Sequence, residues 1–205
     1  MWTVTETRRA FRLNEPPHDA IKIGMKALYL PIIMSLAFAS ILAADTCTEV
    51  VRDASGRIVQ TIVRTKGPSG VQSTTRDASG RITGTATTQP NTGGARTDYR
   101  DASGRLTGSA ATQTGGSGSS STTYRDSSGR IAGQADTRTG SGSGSTTQFR
   151  DASGRLTGSA VTSGSQGSVT STQRDASGRV TGTSTATGKC TGPTLVPVPP
   201  PNVKK

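Results

Sequence analysis

Histidine is almost absent from this chain, and its absence excludes most catalytic chemistry. The single histidine among 205 residues is His18, which precedes a predicted signal segment and is therefore expected to be missing from the exported protein. Ser-His-Asp and Cys-His nucleophilic sites, and the usual imidazole metal ligands, are excluded with it. The glycine-rich segments contain no phosphate-binding loop, and the aspartates recur singly rather than as a calcium-binding ladder. We expect no enzyme activity, no metal and no cofactor.

Large apolar side chains are also scarce. Aromatic residues make up 3% of the chain and hydrophobic residues 30%. Each repeat described below supplies only two or three sizeable apolar side chains, and an isolated hairpin is marginally stable at best. Stability must therefore come from hairpins stacked side by side, from a disulfide, or from a partner.

The feature that recurs is the hexapeptide Arg-Asp-Ala-Ser-Gly-Arg. It occurs six times at intervals of 24 or 25 residues, with Ser127 replacing alanine in the fourth copy. A fixed period of this length indicates a repeat architecture. The aspartate can accept a hydrogen bond from the backbone two residues on, and the glycine can adopt a positive φ, so each copy predicts a hairpin tip. The predicted turn residues are Asp53, Gly56, Asp77, Gly80, Asp101, Gly104, Asp126, Gly129, Asp151, Gly154, Asp175 and Gly178.

The segments on either side of each tip alternate with a period of two. In the second copy Ile82, Gly84 and Ala86 share one face, and threonines occupy the other. This pattern predicts strands with one small apolar face and one hydroxyl face. The predicted fold class is all-β, with six tandem β-hairpins over residues 45–190 arranged as a meander or an open solenoid. The Gly/Ser-rich, low-complexity runs between them are predicted return loops or linkers.

Two hairpin registers are compatible with the third copy. A four-residue loop places Tyr99 opposite Leu106 and Arg100 opposite Arg105. A three-residue loop places Asp101 opposite Arg105 and leaves Arg100 opposite Leu106. Burial normally fixes register, so we favour the four-residue loop, which pairs the apolar side chains.

The motif Asp-x-x-Gly-Arg-(Leu/Ile), followed by threonine and preceded by an aromatic residue, resembles the YD repeats of bacterial Rhs-type secreted proteins. The resemblance covers about residues 48–188, with five or six positions per repeat. In YD repeats a tyrosine directly precedes the aspartate, whereas here Arg100, Arg125 and Arg150 hold that position. The aromatic residue comes one position earlier, on the opposite face of a strand. The resemblance implies a β-hairpin repeat on a bacterial secreted protein, and not a toxin-enclosing shell.

The N-terminal region predicts export. Residues 1–24 are polar and are interpreted as a non-native extension, with translation starting at Met25. A lysine and eighteen uncharged residues follow Met25, which is typical of a helical bacterial signal peptide at 25–44 that is cleaved after Ala43 or Ala44. The alternative is an uncleaved membrane anchor, since eighteen residues is near the lower limit for a spanning helix. The predicted location is periplasmic or secreted; for an anchor, it is the inner membrane, facing the periplasm.

Two cysteines, Cys47 and Cys190, flank the repeats. An even cysteine count in an exported protein favours an intramolecular disulfide, with free or intermolecular thiols as the alternative. The proline-rich residues 191–205 predict a disordered or semi-rigid tail.

Basic charge is the positive functional signal. From Asp45 onward the chain has 19 Lys+Arg and 10 Asp+Glu, a net charge of +9. The candidate polyanion row is Arg52, Arg57, Arg76, Arg81, Arg100, Arg105, Arg125, Arg130, Arg150, Arg155, Arg174 and Arg179. Aligned hairpins make this row a stripe for lipopolysaccharide, acidic polysaccharide or extracellular DNA. The alternative is a set of solvated strand ends with local Arg–Asp pairs, which contribute little.

Three functions are compatible with these patterns. The first is an exported, non-catalytic repeat protein with a structural, adhesive or surface-interaction role. The second is a polyanion-binding protein that uses the arginine row, with no specific nucleic-acid recognition because aromatic residues are sparse. The third is a low-complexity stalk or spacer. Direct membrane contact is expected only if the signal segment stays uncleaved.

Overall fold

The structure is a computed structural model that describes residues 45–190 except 141, 143 and 166. The predicted extension (1–24), the signal segment (25–44, with Ala43 and Ala44) and the tail (191–205) lie outside the described residues. The described part of the chain contains no apolar helix of membrane-spanning length.

Twelve strands make up nearly all of the described chain, so the all-β, hairpin-based prediction is confirmed. One short 3-10 turn, Gly116–Gly118, lies between the sixth and seventh strands. The strands are β1 (Asp45–Asp53), β2 (Ile58–Gly67), β3 (Gly70–Asp77), β4 (Ile82–Asn91), β5 (Gly94–Asp101), β6 (Leu106–Thr114), β7 (Ser120–Asp126), β8 (Ile131–Thr139), β9 (Ser145–Asp151), β10 (Leu156–Ser165), β11 (Ser168–Asp175) and β12 (Val180–Gly188).

The sheet is closed. Every strand pairs antiparallel with its neighbours in the chain, and β12 pairs with β1 from Cys47 opposite Gly188 to Asp53 opposite Gly182. The predicted meander or open solenoid is therefore wrong, because the first and last strands pair and the sheet closes into a barrel. An open arrangement would leave unpaired N–H and C=O groups along two edge strands, and closure pairs them.

The hairpin tips contain three-residue loops, so the favoured four-residue loop is wrong. In the third copy the Asp101 N–H donates to the carbonyl oxygen of Arg105 (2.9 Å), and the Gly104 N–H donates to that of Asp101 (3.0 Å). The other five tips have the same two bonds at the same distances. Turn hydrogen bonds, rather than apolar pairing, therefore set the register.

A bulge beside each tip then separates the aromatic from the aliphatic side chain. Arg100 lies opposite Leu106, whereas Tyr99 lies opposite Gly108, and the register shifts between these two pairs. The extra residue, Thr107, donates its hydroxyl hydrogen to the Tyr99 carbonyl oxygen (3.2 Å). Because a bulge changes which side chains share a face, the aromatic ring turns inward and Leu106 stays outside.

One wall of the barrel interior is aromatic. Ala110, Tyr124 and Ala135 are buried, and Tyr99 and Phe149 pack against them. Burial raises the pKa of both tyrosines above the ordinary value. The remaining interior side chains of this wall are small or hydroxylated.

Threonines form a hydrogen-bonded layer next to the aromatic wall. The hydroxyls of Thr112 and Thr122 lie 2.9 Å apart, as do those of Thr137 and Thr147. Thr122, Thr137 and Thr147 are buried. These buried threonine hydroxyls are therefore hydrogen-bonded to one another, which offsets the cost of burying them.

The first two strands contribute a buried ion pair to the interior. The Arg64 guanidinium lies 2.6 Å from the Glu49 carboxylate, and the two side chains are 15% and 6% exposed. The positive charge of Arg64 opposes the rise in the Tyr99 pKa, which places these two groups within electrostatic reach. The sequence contained no signal for this pair, because neither residue belongs to the repeated motif.

Cys47 and Cys190 form a disulfide across 143 residues of chain, so that prediction is confirmed. Cys47 is buried in β1, and Cys190 follows the end of β12. The bond therefore joins the two strands that close the barrel. A structural disulfide indicates folding in an oxidising compartment.

Candidate polyanion-binding site

Closure brings all six hairpin tips to one end of the barrel. The hexapeptides connect β1–β2, β3–β4, β5–β6, β7–β8, β9–β10 and β11–β12, and alternate strands run in opposite directions. We call this set the tip ring; it comprises residues 52–57, 76–81, 100–105, 125–130, 150–155 and 174–179. The opposite end, which carries the other five strand connections and the disulfide, is called the return end.

The aspartate of each tip is engaged by its own loop. The Asp53 carboxylate accepts hydrogen bonds from the Ser55 N–H (2.9 Å), the Ser55 hydroxyl (2.7 Å) and the Arg57 N–H (3.0 Å). Both N–H bonds recur in the other five tips at 2.9–3.0 Å. The glycine that follows has a φ between 79° and 85° in all six tips, a conformation that other residues rarely adopt. The structure thus places the sequence-predicted turn aspartates and glycines together in each loop.

The hydrogen bond from the serine hydroxyl also lowers the pKa of the tip aspartate. The Ser55 hydroxyl is the main cause that holds the pKa of Asp53 below its ordinary value, and the Arg57 N–H adds to it. Serine hydroxyls in the second, fifth and sixth tips lower the pKa values of Asp77, Asp151 and Asp175 in the same way. These four carboxylates therefore lose their proton more readily than an isolated aspartate does.

The two arginines of each tip have different surroundings. The first donates from Nη1 to the glycine carbonyl oxygen of its own loop, as in Arg52 to Gly56 (3.0 Å), and this bond measures 2.9–3.0 Å in all six tips. The second arginine, such as Arg57, is exposed in every tip. Among the described residues, three ion pairs form and none involves a tip arginine. No tip guanidinium in the described structure therefore lies within ion-pair distance of a carboxylate, although the charge of the second arginine makes a minor contribution to the lowered aspartate pKa in the first, second, fifth and sixth tips.

Charge is concentrated at this end. The tip ring contains twelve arginines and six aspartates, a net charge of +6. The other described residues contain five Lys+Arg and four Asp+Glu, a net charge of +1. Clustered charge of one sign attracts oppositely charged ligands and raises their association rate.

The cationic surface continues a short way along the outer wall. A shallow cavity of about 370 Å³ lies over β8 and β9, and its lining includes Asp136, Arg138, Gln148 and Arg150. Arg150 belongs to the tip ring, so the cavity adjoins the ring. The lining carries two arginines and one aspartate, so its net charge is positive.

Sequence reasoning missed a row of exposed aliphatic side chains beside the tips. Alternation placed Ile82 on the inward face with Gly84 and Ala86, but the register shifts between Ile82 and Gly84, and Ile82 is 40% exposed. Its cross-strand partner is the exposed Arg76. The available signal was the arginine that precedes each aspartate, since an outward arginine carries its partner outward as well.

The described residues contain no cluster of three or more potential metal ligands. The fold and site together define a closed, antiparallel, twelve-stranded barrel with an arginine-rich ring at one end. No protein-family model matches the chain, and the comparison with curated proteins gives no relative.

Proposed function

We propose that this chain is an exported, non-catalytic surface-interaction protein that binds polyanions through its tip ring. The observation that carries the proposal is the circle of twelve arginines around one barrel end, none of them in an ion pair within the described structure. The alternative of solvated strand ends with local Arg–Asp pairs is less favoured, because the tip carboxylates accept from N–H and hydroxyl donors instead.

Guanidinium groups suit this role because they bind phosphate, sulfate and carboxylate groups through paired hydrogen bonds. A single exposed contact is weak, but linked contacts on one rigid surface reinforce one another. The tips repeat around the ring, as the charges of lipopolysaccharide, acidic polysaccharide or DNA repeat along a polymer. Base recognition is not part of the proposal, since Tyr99, Tyr124 and Phe149 pack in the interior.

The features that indicate export support the same proposed function. The disulfide indicates an oxidising compartment, and the resemblance to YD repeats and the signal-like residues 25–44 support a bacterial periplasmic or secreted location. A flexible stalk is disfavoured, because β1 to β12 form a continuous hydrogen-bonded ladder. An adhesive role follows if the polyanion is fixed to a surface.

The test uses residues 42–205, a stretch of the chain that includes the whole barrel and the disulfide. The ring variant replaces four exposed second arginines, Arg57, Arg81, Arg105 and Arg130, with glutamine. The control variant replaces the same number of positive charges outside the ring and outside the adjoining cavity, at Lys66, Arg96, Lys189 and Lys204. Both variants lose four positive charges, and in the control two of these, Arg96 and Lys189, form ion pairs with Asp98 and Asp45.

We expect the wild-type unit to bind heparin at low ionic strength and to be released by about 0.5 M salt, where exposed contacts are screened. The ring variant should bind about tenfold more weakly or worse, and the control variant should stay close to wild type. Equal losses in both variants would mean that net charge, and not the ring, attracts the polymer. Salt-independent binding would also contradict the proposal.

A further inference from the structure

The fourth repeat carries a charged pair on its outer face that the other repeats lack. β6 and β8 are the equivalent strands of the third and fourth repeats, and both have glycine, alanine and threonine at their three central inward positions. On the outer face, Asp136 and Arg138 of β8 correspond to Ala111 and Gln113 of β6. The corresponding residues of the remaining repeats are also uncharged: Val63 and Thr65, Thr87 and Gln89, Val161 and Ser163, and Thr185 and Thr187. Since equivalent strands fold without them, the strand itself does not require these two charges.

The two charged side chains of β8 are open to an outside ligand. Arg138 is exposed, and the three ion pairs among the described residues do not include it. Asp136 accepts a hydrogen bond from the Ser121 hydroxyl (2.9 Å) through a single carboxylate oxygen, Oδ1. By contrast, Arg96 and Asp98 on the outer wall of β5 pair with each other at 3.2 Å. The β8 charges therefore differ from the β5 charges in that they do not satisfy one another.

The side chains of β8 line the shallow cavity of about 370 Å³ together with residues of β9. Arg138 lies opposite Thr146, Asp136 lies opposite Gln148, and Arg150 follows two residues further along β9. The volume is within the range of ligand sites, about 300–1,000 Å³. Four residues of strand, about 13 Å, separate the levels of the two arginines. Along the wall the cavity thus presents a cation, then a carboxylate beside an amide, then a second cation.

This order fits a polymer whose anionic groups are separated by hydroxyl groups. Guanidinium groups bind carboxylates through paired N–H bonds. The Asp136 carboxylate accepts only, so it binds hydroxyl groups and repels anions, and the Gln148 amide both donates and accepts. A DNA or polyphosphate chain would meet repulsion at Asp136. A uronic acid unit, which has one carboxylate and several hydroxyls on its ring, satisfies all three kinds of side chain.

Resting on the proposed function, we propose that the cavity over β8 and β9 is a subsite for an acidic polysaccharide built of uronic acid units. Arg138 and Arg150 bind carboxylates of separate units, Asp136 accepts from ring hydroxyls between them, and Gln148 bonds to the same units. Arg150 also belongs to the tip ring, so a chain held in the cavity reaches the ring. The ring attracts polyanions by charge, and the cavity selects the acidic polysaccharide among them.

Substitutions taken from the third repeat test this proposal in the full-length chain. The cavity variants are Asp136→Ala alone and Asp136→Ala combined with Arg138→Gln, which introduce residues that β6 already carries at these positions. The control variant, Arg96→Ser with Asp98→Thr, introduces the residues of the fourth repeat into β5 and also removes one charge of each sign. The probes are oligogalacturonate and an inorganic polyphosphate with the same number of charges.

The single substitution Asp136→Ala should act in opposite directions on the two probes. We expect oligogalacturonate to bind about fivefold more weakly, because a hydrogen bond to a charged group is lost. Polyphosphate should bind more tightly, because a repelling charge is removed. The double cavity variant keeps the net charge of the wild type, and it should bind oligogalacturonate about tenfold more weakly. The control variant should bind both probes as the wild type does.

Arginine labelling locates the ligand without any substitution. Phenylglyoxal modifies exposed guanidinium groups, and mass spectrometry measures the labelling rate at each arginine. We expect saturating oligogalacturonate to slow the labelling of Arg138 by about tenfold or more, while Arg96, on the same outer wall, keeps its rate.

The outcomes separate the subsite from the proposed function. If Asp136→Ala leaves oligogalacturonate binding unchanged or strengthens it, or if Arg138 is labelled equally with and without the ligand, the subsite is overturned while polyanion binding by the ring stands. Equal losses in the double cavity variant and the control variant would overturn it as well. If the ring variant, made in the same full-length chain, keeps its affinity for both probes, the proposed function itself fails.

Discussion

The two ends of the barrel differ in the uniformity of their loops. At the tip ring, six loops of equal length repeat the same backbone bonds, and each loop is stabilised by its own aspartate and glycine. At the return end the connections differ from one another: Gly116–Gly118 forms a 3-10 turn, and Gly140 bonds to Gly144 (2.9 Å) in the next connection. The disulfide between Cys47 and Cys190 also lies at the return end. The uniform loops place equivalent arginines at every tip, whereas at the return end the disulfide adds a covalent link beside the β1–β12 ladder.

Removing the disulfide should have the largest effect, because it breaks the closure at the return end. In the chain-entropy model a bond that spans 143 residues stabilises by about 5 kcal/mol. We expect Cys47→Ser combined with Cys190→Ser to lower the free energy of unfolding by about that amount, as measured by urea denaturation. The oxidised and reduced wild type provide the matched pair. A loss below about 1 kcal/mol would show that the β1–β12 ladder closes the barrel unaided.

A methyl group added at the two ends should have unequal effects. At Gly108, near the tips, a Cβ would lie 2.5 Å from the Arg125 carbonyl oxygen, whereas at Gly116 it would meet nothing within 4 Å. We expect Gly108→Ala to cost about 1–3 kcal/mol by overpacking and Gly116→Ala to change stability little. Thermal denaturation of the two variants checks this. Equal stability of the two variants would mean that the strands beside the tips can move apart without a loss of stability.

Acid should act through the tips, and this effect is the smallest. The folded pKa values of Asp53, Asp77, Asp151 and Asp175 lie below the ordinary value of 3.8. A depressed pKa stabilises the fold above the unfolded value, and that contribution is lost as pH falls through the folded value. We therefore expect a flat melting temperature from neutral pH to about pH 5 and a decline below about pH 4.

Serine-to-alanine substitutions test whether the serine hydroxyl bonds cause this acid dependence. Replacing Ser55, Ser79, Ser153 and Ser177 with alanine removes the hydroxyl bonds that most lower these pKa values. The acid-dependent part of the decline should become shallower. Ser103→Ala is the control, since in the third tip the Ser103 N–H, and not its hydroxyl, donates to Asp101. An identical acid profile in the fourfold variant would contradict the assignment.

Local chemistry was readable from the sequence, and long-range pairing was not. The Asp–Gly spacing predicted turns because the bonds involved span four residues or fewer. Closure depends on β1 meeting β12 across the whole repeat region, and no local pattern specifies that contact. The register prediction failed for a different, local reason: pairing Tyr99 with Leu106 put apolar contact ahead of the turn hydrogen bonds, which set a three-residue loop with a bulge beside it. The Glu49–Arg64 pair lies outside the repeat motif and gave no signal.

Because β1 pairs with β12, the number of repeats sets the diameter of the barrel. The diameter of a closed sheet grows with the number of strands, so six hairpins set the circumference on which the guanidiniums sit. Deleting or duplicating one 24- or 25-residue unit would change the circle by two strands and force the first and last strands to meet at a new curvature. Recombination among these near-identical units would therefore yield barrels of a different diameter, and the number of arginines around the tip ring would change in steps of two.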